Sequence, residues 1–137
     1  MHDWKDWLRE GDQYQYAAKY HPNKTARLDT TFQYNVFSLA LESYSMAILD
    51  YHKKMPENHT LNDFLEALQT VTQIDPQLKQ RIAKHEQIQK LCSWTNHDRK
   101  IATIEQVSDF SEAVKQIGAL AHRMCTEPSG QDCVFQP

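Results

Sequence analysis

A chain of 137 residues with a net charge of −3 and a sequence pI near 6.1 is long enough to bury a core as one domain. Its overall charge excludes a general polyanion binder but leaves room for a local basic patch. With 3 glycines and 5 prolines, and no sustained alternation of β-branched with polar residues, a loop-rich β fold is excluded as well.

The first helix is predicted from about Asp3 to Tyr20. Trp4, Trp7 and Leu8 lie on one face, with Tyr14, Ala17 and Ala18 further along, and Gly11 interrupts and weakens the pattern. That face reads as core in preference to an exposed partner-binding patch. The loop His21-Pro-Asn-Lys-Thr-Ala-Arg27 leads to a second helix, which Asp29 or Thr30 can cap. In this helix Phe37, Leu41, Tyr44, Ile48 and Tyr51 fall at steps of four, three, four and three, which is one face of a helix. Val36, Ala40 and Ala47 widen the face, so the helix belongs in the middle of a bundle. Pro56 stops it.

Thr60, with Asp63 three residues on, caps a third helix from about Thr60 to Gln73. Its buried face is Leu61, Phe64, Leu65 and Leu68, and His59 belongs to the preceding turn. Asp75-Pro76 reads as a cap followed by proline at the first helical position. The fourth helix carries Leu78, Ile82, Ile88, Leu91 and Cys92 and ends near Trp94. A polar, turn-like stretch from Thr95 to Lys100 follows.

The last helix runs from about Thr103 to Cys125. Val107, Phe110, Val114, Ile117, Ala121 and Met124 repeat at three and four, the most regular stripe in the chain, although Ser108-Asp109 could split it. A tail containing Pro128, Gly130 and Pro137 is expected to be loose. The predicted fold is all-α: an antiparallel, up-and-down bundle of about five helices. One domain over 1–126 is followed by a flexible tail over 127–137.

The chemistry-bearing residues are few. Arg81 and His85 share a helix face. Beside Lys79 and Lys84 that face reads first as solvent-exposed surface, then as a phosphate or RNA contact, and last as a catalytic pair. His97, Asp98, Arg99 and Lys100 form a second cluster, which suits either a solvated connection or phosphate binding. Tyr14, Tyr16, Tyr20, Phe32 and Tyr34 interleave with Lys19, Lys24 and Arg27, as single-stranded nucleic acid would require, yet packing of the first two helices explains them better. No Glu-x-x-His pair, zinc-type cysteine spacing, glycine-rich phosphate loop or nucleophile elbow is present, so no metal or cofactor is expected.

The 3 cysteines, Cys92, Cys125 and Cys133, make an odd count without paired spacing. Free thiols in a reducing cytosol are expected, with a Cys125–Cys133 bridge as the lesser alternative. No run of about 18 apolar residues exists to span a membrane. The start MHDWKDWLRE lacks the apolar core of a signal peptide. Together these give a cytoplasmic protein.

Phe32, the run Leu39-Ala40-Leu41-Glu42-Ser43-Tyr44, then Met46-Ala47-Ile48-Leu49, His59-Thr60-Leu61, Leu65 and Leu68 resemble the HEPN family of small helical bundles. Ser45-Met46 stands where that family usually has lysine. The resemblance covers about half the chain and consists of scaffold residues. It implies either a ribonuclease, often a toxin acting beside a nucleotidyltransferase, or a non-catalytic binding and dimerisation module.

Active members carry an arginine and a downstream histidine near the start of the fourth helix. There the histidine moves the 2′-hydroxyl proton and the arginine holds the phosphate. Here Arg81 and His85 have three residues between them, one fewer than that motif. Arg99 has only His97, which precedes it. The expected function is therefore a homodimeric interaction module, probing RNA or nucleotide through Arg81, His85, Arg99, Lys100 and His97. The alternatives are a metal-independent ribonuclease using Arg81 and His85, and a regulatory partner-binding bundle with no nucleic-acid role.

Overall fold

Five helices form in a computed structural model that describes residues 3–19, 26–55, 61–89 and 103–125. They are α1 (Trp4–Lys19), α2 (Ala26–Tyr51), α3 (Leu61–Gln69), α4 (Pro76–Gln89) and α5 (Ile104–Met124). No strand occurs among the described residues, so the fold is all-α, as the periodicity requires.

Helix α2 is the centre. The residues from Ser43 to Leu49 are buried one after another, so no face of this stretch meets solvent, and a helix apolar all round is an internal one. The predicted stripe of Phe37, Leu41, Tyr44 and Ile48 is buried, and Tyr51 packs at the edge of the core. Trp4, Trp7 and Leu8 are partly buried against that core, in keeping with a packing role.

Helix directions follow from named contacts. The Trp4 ring meets Tyr51 edge-on at 5.2 Å, while Gln33 Nε2 donates to the Ala18 carbonyl at 3.0 Å, so α1 and α2 are antiparallel. On α4, Arg81 and His85 reach Asp109, whereas Ile74 and Leu78 line a groove with Gln116, Leu120 and Arg123, so α4 and α5 are antiparallel too. Helices α2 and α5 run in the same direction: Tyr34 stacks edge-on with Phe110 at 4.8 Å, and Tyr44 lies against Gly118. Strict up-and-down alternation would oppose that pair. It fails because the chain makes one net reversal between α2 and α4, and the nine-residue α3 adds no full leg.

Caps explain the ends. At the start of α1 the Asp3 carboxylate accepts from the Lys5 and Asp6 amides, while Asp6 accepts from the Asp3 amide, a reciprocal cap. Helix α2 begins earlier than the Asp29 or Thr30 start. It ends before Pro56: Lys53 takes a left-handed φ of 57°, the Lys54 amide reaches the Leu49 carbonyl at 2.8 Å and the Lys53 amide that of Asp50 at 3.0 Å. This is a Schellman termination with lysine where glycine is usual.

Helix α3 stops at Gln69, short of Gln73, because the Thr70 and Val71 amides turn back to Ala67 and Leu68. The Asp75-Pro76 start of α4 holds, with Asp75 Oδ1 accepting from the Gln77 amide at 2.9 Å. Thr103 and Gln106 cap α5 reciprocally. The helix then passes through Ser108-Asp109 without a break, since Asp109 is occupied by partners on α4.

Gly11 lies inside an uninterrupted α1. A Cβ there would come within 2.7 Å of the Tyr44 ring, and one at Gly118 within 2.9 Å of the other edge. Two of the chain's 3 glycines thus clasp one aromatic ring between α1 and α5. At both places the reason for glycine is close approach.

Candidate functional site: the Tyr34–His85–Asp109–Arg81 network

Helical spacing brings Arg81 and His85 one turn apart on α4, and the face they share turns toward α5. His85 is 2% exposed, so the expected solvent-facing pair is half wrong: burial of this histidine is made tolerable by partners on both sides. Its Nδ1 lies 2.6 Å from the Tyr34 hydroxyl, and its Nε2 lies 2.8 Å from Asp109 Oδ2. The ring also packs against Phe110, with centroids 4.9 Å apart, and edge-on against Tyr34.

The hydrogen-bond roles follow from chemistry. An ionised carboxylate only accepts, so Nε2–H donates to Asp109 and the Tyr34 hydroxyl donates to Nδ1. That arrangement satisfies a neutral imidazole completely. Burial pushes the His85 pKa below its ordinary value, opposed by the hydrogen bond and charge of Asp109.

Arg81 Nε approaches the other oxygen of Asp109 at 3.2 Å, with side-chain exposures of 34% and 43%. Its two terminal nitrogens have no partner among the described residues, and the network meets solvent at Arg81 and Asp109.

The chemistry open to this arrangement is limited. A general base needs a free lone pair within reach of substrate, and both His85 nitrogens are engaged. Phosphate recognition at Arg81 has the neighbouring Asp109 charge against it. The network's clear capacity is to join α2, α4 and α5 through one satisfied polar chain.

The other expected residues divide. His97, Arg99 and Lys100 lie outside the described residues, as do His59, Thr60, Tyr20 and Lys24. Among the interleaved aromatics Tyr34 is core, Tyr14 packs against the core, and Tyr16 and Phe32 are exposed. Cys125 is a free, buried thiol, raised to about 11 by burial and then by the charge of Asp50. Among the described residues no group of three His, Cys, Asp or Glu could hold a metal ion, and no helix is long and apolar enough to cross a membrane.

A second polar cluster was not foreseen. The Tyr44 hydroxyl donates to Asp12 Oδ1 at 2.6 Å and accepts from Gln15 Nε2 at 2.8 Å. His122 Nε2 lies 2.9 and 3.0 Å from the two Asp12 oxygens. Burial, and then the bond to Asp12, raises the Tyr44 pKa well above its ordinary range, which keeps the hydroxyl a donor. No local pattern announces Asp12, Asp109 or His122, because each is an ordinary polar position on its own helix.

Comparison with family models, curated proteins and solved structures yields no match to this chain.

Proposed function

We propose that the protein is a HEPN-like interaction module, non-catalytic at Arg81 and His85. It acts in the cytoplasm as a homodimer and contacts RNA or nucleotide through basic residues, Arg81, Arg99 and Lys100 among them. One observation carries the non-catalytic assignment: His85 is buried with both ring nitrogens hydrogen-bonded. It also removes His85 from the contact surface. A nucleotidyltransferase-type partner is the protein partner that the resemblance suggests.

Metal-independent ribonuclease activity is the second reading, favoured by one fact: Arg81 and His85 do converge on a single carboxylate. It requires Asp109 or Tyr34 to release the imidazole.

The deciding experiment incubates labelled RNA and EDTA with the wild type and with Arg81→Ala/His85→Ala. The proposal expects no cleavage by either, with RNA binding that weakens steeply as salt rises. Cleavage lost in the double variant establishes the ribonuclease. Salt-independent or absent binding favours a regulatory bundle without a nucleic-acid role, and a monomer by light scattering at micromolar concentration removes the dimer.

A further inference from the structure

The Asp12–His122 pair has features of a prepared nucleophile. His122 Nε2 faces both oxygens of Asp12, which fixes the proton on Nε2 and leaves Nδ1 as the lone-pair nitrogen. Nδ1 has no partner among the described residues, and the side chain is 51% exposed. The carboxylate is itself held: it accepts from Tyr44, whose ring is clasped by Gly11 and Gly118 and whose hydroxyl is bonded by Gln15. Three helices therefore orient one surface imidazole.

We propose that His122 is a phosphoryl-acceptor site, charged at Nδ1 by a small acyl phosphate or phosphoramidate donor. The Nδ1 lone pair attacks phosphorus and forms the N–P bond, while the P–O bond of the acyl phosphate (or the P–N bond of phosphoramidate) breaks and the carboxylate or ammonia leaves. No proton has to depart from the ring. Nε2–H stays on Asp12, and the carboxylate stabilises the positive ring that bears the new phosphoryl group. Lys115 on α5 and Lys19 on α1 are both exposed and lie two helical turns, about 10 Å, from His122 and Asp12 along their helices. At that distance they add weak, screened positive charge to the field that an incoming anion meets.

The test treats the full chain with phosphoramidate at neutral pH and follows intact mass, phosphorus NMR and peptide mapping in alkali. Expected is one acid-labile phosphoryl group on His122, absent in His122→Gln. Asp12→Asn keeps an acceptor for Tyr44 but loses the charge, and labelling should slow about tenfold, the low end for losing a carboxylate that orients a histidine. Circular dichroism melts confirm that both variants fold. Failure to label, labelling of other histidines in place of His122, or an unchanged rate in Asp12→Asn overturns the proposal. None of these outcomes bears on Arg81 and His85, so the proposed RNA-contacting function stands or falls separately.

Discussion

Asp109 binds His85 at 2.8 Å through one carboxylate oxygen and Arg81 at 3.2 Å through the other, and the two contacts differ in worth. The histidine end is buried, whereas the arginine end is open to water. Arg81→Ala should cost less than about 1 kcal/mol, the range of exposed ion pairs. Asp109→Ala should cost about 2 kcal/mol, because it leaves the buried His85 N–H without an acceptor. Urea denaturation of the two variants checks the order.

Stability should fall as the medium is acidified. In the folded chain the His85 pKa is lowered from 6.5; the unfolded chain titrates at its ordinary value. Below that value the unfolded state takes up a proton that the folded state refuses, so the stability contributed by the neutral ring is complete above about pH 6.5. It is lost as pH drops toward the folded pKa, by at most about 1.4 kcal/mol per pH unit. Denaturation midpoints between pH 8 and 5 should decline, and His85→Asn should flatten that decline.

The glycine clasp predicts an inverted propensity effect. Alanine in a helix interior is ordinarily better than glycine by about 1 kcal/mol. Here Gly11→Ala and Gly118→Ala should each destabilise by about 1–3 kcal/mol, since the added methyl meets the Tyr44 ring. Adding Tyr44→Ala removes the obstacle, and the glycine substitutions should then become neutral or favourable. A double-mutant cycle by thermal denaturation measures this coupling.

Lys53→Gly should stabilise the protein by about 1 kcal/mol, because the left-handed φ of 57° strains a residue with a Cβ and suits glycine. A midpoint at or below that of the wild type would show that the Lys53 side chain compensates for the strain.

Several elements were legible in the chain itself. The stripe from Val107 to Ala121 on α5 and that from Phe37 to Ile48 on α2 became core as their spacing requires, and Asp75-Pro76 opened α4. In each case the signal is local, either a period of 3.6 or a cap within one turn. Gly11 misled for the same reason, since its helix-weakening tendency is local and its purpose, room for Tyr44, is 33 positions away in a different helix. The spacing of Arg81 and His85 places them on one helix face, but the partners that face meets, Asp109 and Tyr34, are not readable from α4 alone.

By itself the sequence determined that the protein is all-α, where α1, α2, α3 and α5 lie to within a turn or so, and the apolar stripes that α2 and α5 bury, because periodic burial and capping are properties of neighbouring residues. Only the tertiary structure decided that α2 and α5 run together and that His85 is enclosed between Tyr34 and Asp109. It alone joined His122 to Asp12, 110 residues apart in the chain. The physical reason is that a hydrogen bond across helices depends on packing geometry in three dimensions, and each partner looks like an ordinary surface polar residue when viewed along its own helix.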